Sequence, residues 1–355
     1  MKISKHSIEQ KVLEGGRLSL EEGLFLFEQT DLIWLGKLAD VVKRRFHPKP
    51  LVTFIIDRNI NYTNLCVASC NFCAFYEKLG SDKGYVLSKE EIARKIEETI
   101  DLGGYQILMQ GGLNPTLKID YYEDLFRFIK EKFPTVRIHS LSPPEIHYIA
   151  RISQLSLQDT LIRLRAAGLD SIPGGGAEIL VNEIRQKLNA NKTTAEQWLE
   201  VMETAHKMGM KSTATMMFGH IETYEHRLQH MIKIRDLQDH TLGFTAFIPW
   251  TFQPENTELG GPKTTAYDYL RTLAISRLML DNVPNIQVSW VTMGAKVAQT
   301  GLFFGGNDFG SVMIEENVVA AAGATFRMSR EEIERIIKKA GFEPRLRDME
   351  YNLLN

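Results

Sequence analysis

Residues 53–110 read TFIIDRNINYTNLCVASCNFCAFYEKLGSDKGYVLSKEEIARKIEETIDLGGYQILMQ, and this stretch indicates how the chain folds. It begins with an apolar, β-branched run, TFIIDRNI, that is typical of a buried strand. A loop with three cysteines follows, and Ser88 and Glu91 then form a capping box that predicts a helix to about Leu102. A double glycine ends that helix, and YQILMQ is the second predicted strand. Two strands joined by a helical crossover run parallel, so the stretch predicts the first unit of a parallel sheet.

The same alternation continues along the chain after this first unit. The later predicted strands are VRIHSL (136–141), LDSI (169–172), STATMMF (212–218), FTAFIP (244–249) and IQVSWV (286–291), with a short eighth near 309–313. The later predicted helices are 120–133, 157–167, 194–208, 222–237 and 267–281, and Ser329 and Glu332 cap a last helix that ends near Gly341. The sequence therefore predicts the α/β class, as a parallel (β/α) barrel of TIM type, closed or nearly closed. An open doubly wound sheet is the alternative.

The regions outside this series divide the chain into three parts. Residues 1–50 have apolar residues at helical spacing and are predicted to form an N-terminal helical extension. Residues 51–284 are predicted to form the core barrel. Residues 285–355 would complete the barrel and add a closing helix, with a tail from Phe342 that either packs under the barrel or extends freely.

Composition excludes several classes of protein. The chain has 355 residues, 44% of them hydrophobic, which are globular values without room for extensive disorder. A formal net charge of −2 gives no sign of a nucleic acid or an anionic membrane as partner. The sequence has no signal-peptide pattern and no apolar run of about 18 residues, so we expect a cytoplasmic protein without a membrane span.

Polar or glycine-rich residues follow nearly every predicted strand, which favours the barrel. In a parallel barrel the carboxyl ends of the strands converge on one face, where the active sites of that fold lie. The cysteine loop opens onto the same face. The residues concerned are Asn59, Asn61, Gln110 to Gly112, Ser142, Glu145, Gly174 to Glu178, Gly219, His220, Glu222, Gln253, Thr292, Asn307 and Asp308.

All the cysteines of the chain lie in that loop, with the spacing C-x3-C-x2-C: Cys66, Cys70 and Cys73. Structural zinc sites have four closed ligands, and no second cysteine pair or nearby histidine follows. An iron–sulfur cluster accepts three thiolates and leaves one iron open, whereas an electron carrier would normally supply a fourth cysteine. The loop therefore favours a cluster that binds a substrate at its open iron.

The form C-x3-C-x-aromatic-C, with Phe72 as the aromatic residue, resembles the defining motif of the radical S-adenosylmethionine (SAM) superfamily. The resemblance implies a [4Fe–4S] cluster whose open iron chelates SAM. It also implies SAM contacts at Phe72 and at the glycines Gly111 and Gly112, whose backbone would approach the methionyl amine.

Two glutamates follow later strands and complete the set of implied SAM contacts. Glu178 would accept hydrogen bonds from the ribose, although it is also suited to the start of a helix. Glu222 resembles the end of the family's G-x-I-x-G-x-x-E segment, but Thr215 and Met217 depart from its first half, so Glu222 is alternatively a helix cap.

Over nearly the whole chain, the sequence is similar to one branch of this superfamily, the cyclic dehypoxanthinyl futalosine synthases of menaquinone biosynthesis. The resemblance rests on ILMQGGLNP, SIPGGGAEIL, TATMMFGHIET, FTAFIPWTFQP, VSWVTMG and GGNDFGSVMIEENVV beside the cysteine motif. It implies a nucleoside–benzoate substrate, a flavodoxin or ferredoxin as reductant, and a 5'-deoxyadenosyl radical that removes the ribose C4' hydrogen before ring closure onto the benzoate. An aminofutalosine synthase-like enzyme and a non-catalytic iron–sulfur electron carrier are the alternatives.

That reaction requires a proton acceptor and a partner for the substrate carboxylate. Glu145, His220 and Asp308 are the candidate catalytic residues, with Glu222 as a further proton acceptor. Arg58, His220 and Lys296 are candidates for the carboxylate by residue type and position. Trp250 and Trp290 end predicted strands and are either core residues or stacking surfaces for an aromatic substrate. His226 and His230 have a zinc-like spacing, but their polar neighbours indicate a solvated helix face.

Overall fold

The structure, a computed structural model, describes residues 3–354. Its strands are β1 (Leu51–Ile55), β2 (Asp57–Ile60), β3 (Gln106–Met109), β4 (Arg137–Ser140), β5 (Ser171–Ile172), β6 (Lys211–Phe218), β7 (Phe244–Thr251), β8 (Asn285–Ile286), β9 (Asp308–Ser311) and β10 (Glu343–Leu346). Its helices are α1 (Lys5–Leu13), α2 (Leu20–Glu28), α3 (Leu32–Phe46), α4 (Lys89–Asp101), α5 (Ile119–Lys132), α6 (Pro143–Ser153), α7 (Leu157–Ala167), α8 (Asn182–Leu188), α9 (Ala195–Lys207), α10 (Tyr224–Thr241), α11 (Ala266–Met279), α12 (Trp290–Gly301), α13 (Val318–Ala321) and α14 (Arg330–Lys339).

The strands form a parallel barrel wall. β2 to β8 pair in sequence order, and every pair in this seven-stranded sheet is parallel. A second sheet has the order β10-β1-β9 and is also parallel. The two sheets are joined on one side by the bridge between Gln287 and Asp308, and on the other side by the chain itself, which runs from β1 into β2. The predicted fold class, a TIM-type barrel that is closed or nearly closed, is confirmed.

The strands have an apolar outer face and a more polar inner face. In β3, Ile107 and Met109 are fully buried in the core beneath the helices, whereas Gln106 and Leu108 line an internal cavity. Because side chains alternate between the two faces of a strand, one element contributes to both the core and the cavity.

The N-terminal helices α1 to α3 cover one side of the barrel. α3 packs against α11, and α2 packs against α10 and α11. Arg17, in the link between α1 and α2, donates a hydrogen bond to Asp281 at 3.0 Å. Among the helices of residues 3–354, none has the length and apolar character needed to cross a membrane.

Two predicted strands differ from the structure. TFIIDRNI is two strands, because Ile56 separates β1, which pairs with β9 and β10, from β2, which pairs with β3. The predicted strand 286–291 is mostly wrong: β8 ends at Ile286, and α12 begins at Trp290. The apolar alternation of that stretch reflects burial at a strand-to-helix turn, where the Trp290 Nε1 group donates to the Ser311 carbonyl at 3.0 Å.

Within residues 3–354, five elements were not predicted: α6, α8, α12, α13 and β10. α6 begins with two prolines after Ser142, and Ser142 and Glu145 form its capping box. This arrangement of a cap followed by proline at the first helical positions is a readable signal for a helix start. α8 is a short helix between β5 and α9, and β10 gives the tail after Phe342 a fixed place beside β1.

Candidate active site

The cysteine loop, residues 61–76, is fixed at both ends by backbone hydrogen bonds. The Cys66 amide donates to the Glu77 carbonyl at 3.0 Å, and the Glu77 amide donates to the Asn64 carbonyl at 2.8 Å. Leu113, beyond the end of β3, accepts the amide of Val67 at 3.0 Å. The loop is therefore held against the carboxyl end of β3.

The three thiols share one small apolar cluster with Ala68, Leu113 and Tyr148. Each sulfur accepts hydrogen bonds. The Leu113 amide donates to Cys66 Sγ at 3.2 Å, and the Asn189 side chain donates to Cys70 Sγ at 2.8 Å. Cys73 accepts from the backbone amides of Phe75 and Tyr76. N–H donors of this kind stabilise the negative charge of thiolates that bind a metal centre.

Three cysteines without a fourth protein ligand are the donor set of an iron–sulfur cluster with one open iron. Within residues 3–354, no group of three His, Cys, Asp or Glu side chains is placed to hold one metal ion. In a zinc site all the thiolate ligands bind the same ion, whereas each thiolate of an iron–sulfur cluster binds a different iron. Burial raises the pKa of the Cys70 thiol to about 12 and also raises the pKa of Cys73, so a metal centre bound here would have to displace protons from these thiols.

A cavity of about 290 Å³ occupies the barrel interior. Its wall receives residues from strands or strand ends all around the barrel, and most of them are uncharged. Trp250, near the end of β7, contributes an aromatic side chain. The polar residues of the wall are Asp57, Asn59, Gln106, Gln110, His139, Thr213, Thr215, Gln287, Ser289, Thr292, Ser311, Glu316, Arg347 and Tyr351.

The C-terminal tail forms part of this wall through Arg347, Met349 and Tyr351. Arg347 makes two hydrogen bonds to the Asp308 carboxylate, at 2.6 and 2.9 Å, and its guanidinium lies 3.9 Å from the Tyr351 ring centre. Asp308 is fully buried and also accepts from the Thr53 hydroxyl at 2.6 Å. The predicted catalytic residue Asp308 therefore lies behind Arg347, outside the cavity wall.

Among the described residues, two carboxyl groups line the cavity, those of Asp57 and Glu316. Glu316 accepts from the amides of Val318, Val319 and Ala320, so it caps α13. Asp57 accepts from Gln106 and from Ser311. Burial raises the pKa of both carboxyl groups.

His139 lies on the same wall in the neutral state, because burial lowers its pKa to about 3. Its Nδ1 contacts the Ser171 hydroxyl, which fixes the orientation of the ring.

The glycines after β3 pack against protein atoms. A Cβ on Gly111 would lie 2.6 Å from the Tyr62 ring, and one on Gly112 would lie 2.3 Å from the Leu65 carbonyl oxygen. Glu145 binds the same segment: it accepts from the Gly111 amide at 2.9 Å and from the Tyr62 hydroxyl at 2.6 Å. It also accepts two bonds from Ser142. Glu145 is thus a fully bonded support for the glycine segment and lies outside the cavity wall.

Glu178 belongs to a buried charge cluster beside the cysteine loop. Its carboxylate accepts from Lys192 Nζ at 2.8 Å, and the Arg185 guanidinium is 3.5 Å away. Lys192 Nζ also lies 5.2 Å from the centre of the Phe72 ring. The predicted contacts Glu178 and Phe72 are therefore brought together by Lys192, a residue that sequence reasoning missed.

His220 and Glu222 lie together in the turn after β6. Glu222 accepts from the Gly219 amide at 2.7 Å, the His220 amide at 2.9 Å and Arg227 Nε at 2.8 Å. The His220 ring contacts the Met217 carbonyl through Nε2 at 3.1 Å and accepts the Ile221 amide through Nδ1. Both side chains hold the turn and are at most 1% exposed.

Other candidates lie away from the cavity. Arg58 points outward and pairs with Glu98 and Glu315, while Lys296 is exposed on α12. Trp290 is buried in the core. The expectation of a solvated face is wrong for His230, which is fully buried and accepts the Leu180 amide at 3.0 Å.

Sequence reasoning missed Asp57, Arg347 and Asn189. The sequence did contain a signal for Asp57: it lies two residues before Asn59 in the same strand, so both side chains face the same side of the sheet. Arg347 and Asn189 had none, since each reaches the site from a segment whose path depends on tertiary packing.

Two family models match the chain. The Radical SAM superfamily model matches residues 60–234, and the CofH/MqnC C-terminal region model matches residues 241–355.

Curated relatives match over nearly the whole length. A cyclic dehypoxanthine futalosine synthase from Halalkalibacterium halodurans is 50% identical over 353 residues, covering 99% of this chain and 95% of that protein. The synthase of the same name from Streptomyces coelicolor is 46% identical, covering 99% and 90%. An aminodeoxyfutalosine synthase from Thermus thermophilus is 40% identical, covering 97% and 94%.

Solved structures with a similar fold are more distant in sequence. Methylornithine synthase (PylB) has a TM-score of 0.73 at 19% identity, covering 95% of this chain and 97% of that one. The FeFe-hydrogenase maturase HydG from Carboxydothermus hydrogenoformans has a TM-score of 0.76 at 17% identity, covering 98% and 80%. At these identities the likeness concerns the fold.

Proposed function

Because the chain belongs to the radical SAM superfamily and carries the CofH/MqnC C-terminal region, we propose that it cyclises dehypoxanthine futalosine on the route to menaquinone. The observation that carries the proposal is the full-length similarity to two cyclic dehypoxanthine futalosine synthases, which exceeds the similarity to the aminodeoxyfutalosine synthase. The superfamily consists of enzymes, and this membership favours catalysis over electron storage.

Cys66, Cys70 and Cys73 would hold a [4Fe–4S] cluster. With SAM bound, the cluster would supply a 5'-deoxyadenosyl radical able to take the C4' hydrogen of the substrate ribose. Phe72, Gly111, Gly112 and Glu178 remain our proposed SAM contacts, and they adjoin the cysteine loop. Glu222 would act on SAM through the turn that it holds, because its carboxylate already accepts three strong donors.

The cavity suits a substrate with a ribose and an aromatic ring. Hydroxyl and amide groups on its wall can bind ribose hydroxyls, and Trp250 offers a face for the benzoate ring. Burying the reacting groups in this interior would keep water and oxygen away from carbon radicals.

Arg347 replaces Arg58, His220 and Lys296 as our proposed partner of the substrate carboxylate. It is the one arginine or lysine on the described cavity wall. Its bonds to Asp308 and Asp348 use three of its five N–H groups, which leaves two without a partner among the described residues.

In the last step of the proposed reaction the cyclised radical would lose one electron, to the oxidised cluster or an external acceptor, and one proton, for which Asp57 is the best-placed acceptor. Unlike Glu316, it caps no helix, and each of its oxygens accepts a single bond. A buried carboxyl with a raised pKa is suited to proton transfer near neutral pH. Asp308 would support Arg347, Glu145 would support Gly111, and His220 would support the turn after β6.

The function can be tested with protein whose cluster has been rebuilt without oxygen. We would add SAM, a reductant and dehypoxanthine futalosine, and analyse the small molecules by mass. The proposal expects 5'-deoxyadenosine together with a product two hydrogens lighter than the substrate. Deoxyadenosine without this product would refute the proposed substrate, and conversion of an enol-ether substrate instead would establish the aminofutalosine synthase alternative. Neither product, from protein with an intact cluster, would favour the electron carrier.

A further inference from the structure

The loop between α8 and α9, residues 189–193, contacts the cysteine loop. The Asn71 amide donates to the Leu188 carbonyl at 3.3 Å, and the Asn71 side chain donates to the Lys187 carbonyl at 3.0 Å. Asn189 then donates to Cys70 Sγ at 2.8 Å. The end of α8 and the 189–193 loop therefore form one continuous contact with the cysteine loop.

The direction of the Asn189 side chain is fixed by its own bonds. Its Oδ1 accepts the Asn191 amide at 2.8 Å, and its backbone amide donates to the Arg185 carbonyl at 2.7 Å. An amide oxygen must face the Asn191 donor, so the NH₂ group must face the sulfur. Asn189 is thus a fixed donor to Cys70.

Positive charge accompanies this donor. Lys192 and Arg185 flank a single carboxylate, Glu178, so the buried group carries a surplus of one positive charge. Arg185 also binds the Thr193 carbonyl at 2.8 Å, which holds the 189–193 loop in place. Cys70 is 7% exposed, so water screens its sulfur little.

We propose that Asn189 raises the reduction potential of the iron–sulfur cluster through its hydrogen bond to the Cys70 sulfur. Reduction by one electron, from a flavodoxin or ferredoxin, adds negative charge to the cluster and its thiolates. A fixed N–H donor on a buried sulfur stabilises that added charge, and hydrogen bonds to sulfur are among the determinants of cluster potential. Asn189 is a positioning and tuning residue, because it acts through Cys70. The inference rests on the cluster-binding role of the cysteines, not on the identity of the substrate.

The test is a redox titration of the reconstituted full chain, followed by electron paramagnetic resonance of the reduced cluster without SAM. Asn189→Leu removes the donor at similar volume. Asn189→Asp keeps the acceptor for Asn191 and replaces the donor with a negative charge. Both variants should have a more negative potential than the wild type, and the shift should be larger for Asn189→Asp.

Asn71→Ala is the matched control, because it removes a bond between the same two segments without touching a sulfur. Its potential should equal that of the wild type. An unchanged potential in both Asn189 variants, or an equal shift in Asn71→Ala, would overturn the proposal. Loss of the cluster in both Asn189 variants but not in Asn71→Ala would also overturn the proposal, since Asn189 would then be needed for cluster assembly. A wild-type cluster that titrates normally but gives no cyclised product would refute the proposed function and leave this inference standing.

Discussion

At the scale of single residues, the ion pair of Asp308 and Arg347 fixes the position of the arginine on the cavity wall. The two residues are 39 positions apart in the sequence, and both side chains are buried. Asp308 also accepts from Thr53 and from the Gly310 amide, so its oxygens are committed. The sequence placed Asp308 among the residues that follow strands, whereas in the structure it is the first residue of β9, and its partner lies in a tail whose course the sequence left open.

Asp308→Asn should destabilise the protein and lower cyclisation while sparing the cluster. Removing one partner of a buried ion pair leaves an uncompensated charge, here on Arg347, which costs about 3–5 kcal/mol of unfolding free energy. Chemical denaturation measures that cost, and iron content and product formation measure the other two effects. Unchanged turnover would remove Asp308 from the reaction.

Asp57→Asn is the informative comparison for that variant. Burial disfavours the charge that Asp57 must carry to accept a proton, and Asn has the same shape without that charge, so stability should stay closer to wild type than in Asp308→Asn. If Asp57 accepts the proton, its variant should still release 5'-deoxyadenosine but form less cyclic product for each molecule released. An unchanged ratio would argue against the role.

At the scale of elements, the site depends on how closely the end of β3 approaches the cysteine loop. Glycine is required after β3 for this contact, because the space that a Cβ of Gly111 or Gly112 would occupy is filled by Tyr62 and by the backbone of Leu65. The sequence indicated that Gly111 and Gly112 matter. It could not tell that their neighbours are protein atoms, since that contact forms between segments far apart in the chain.

Gly112→Ala should reduce the iron content of the protein. The new methyl group would lie 2.3 Å from the Leu65 carbonyl oxygen and 2.7 Å from Cys66 Cβ, so the cysteine loop must move. Overpacking of this kind costs about 1–3 kcal/mol. The measurement is iron per chain after anaerobic reconstitution, with circular dichroism as the check on folding.

Gly80→Ala provides the control for that substitution. Gly80 has open space around it and φ +83, so alanine there brings backbone strain without a contact at the cysteines. Its iron content should match the wild type. Equal iron in Gly112→Ala would mean that the loop adapts and that the close approach is not required.

The same scale explains which elements could be read from the sequence. Helices with a local sequence signal at their start were predicted to within a few residues. Examples are α4 and α14, which have capping boxes at Ser88 and Ser329. β10 could not be read, because a four-residue strand with a half-exposed pattern is defined by its pairing with β1.

At the scale of the whole molecule, the carboxyl ends of the strands supply one face and the C-terminal tail completes the interior. Parallel order follows from the alternation of strands and helices, so the fold and the position of the cysteine loop were predictable. The inner residues Asp57 and Gln106 and the tail residues Arg347 and Tyr351 were not assigned, because barrel closure alone brings them together. Consequently the sequence proposes the cluster cysteines residue by residue, but the interior cavity only as a location.

Buried neutral histidines should make the whole fold less stable as the pH falls below neutrality. Burial lowers the pKa of His139 and His230 to about 3 and that of His206 to about 4. The unfolded chain binds protons at these positions below about pH 6.5 and the folded chain does not, so unfolding takes up protons and stability rises with pH. The buried carboxyls Asp57, Glu145 and Glu316, whose pKa values are raised, act in the opposite direction.

A single substitution can isolate one histidine from that sum. His206 contacts the Thr241 and Ser212 hydroxyls, with Lys211 and Glu203 as the charged groups nearby, and it lies outside the cavity wall. Between pH 7.5 and pH 5.5, protonation of His206 in the unfolded chain should lower the unfolding free energy of the wild type by about 1.4 kcal/mol. The His206→Gln variant should lack this loss. Anaerobic denaturant titrations of both proteins at the two pH values measure the difference. Equal losses would mean that His206 changes its protonation little on folding, and that the acid sensitivity arises from the other buried groups.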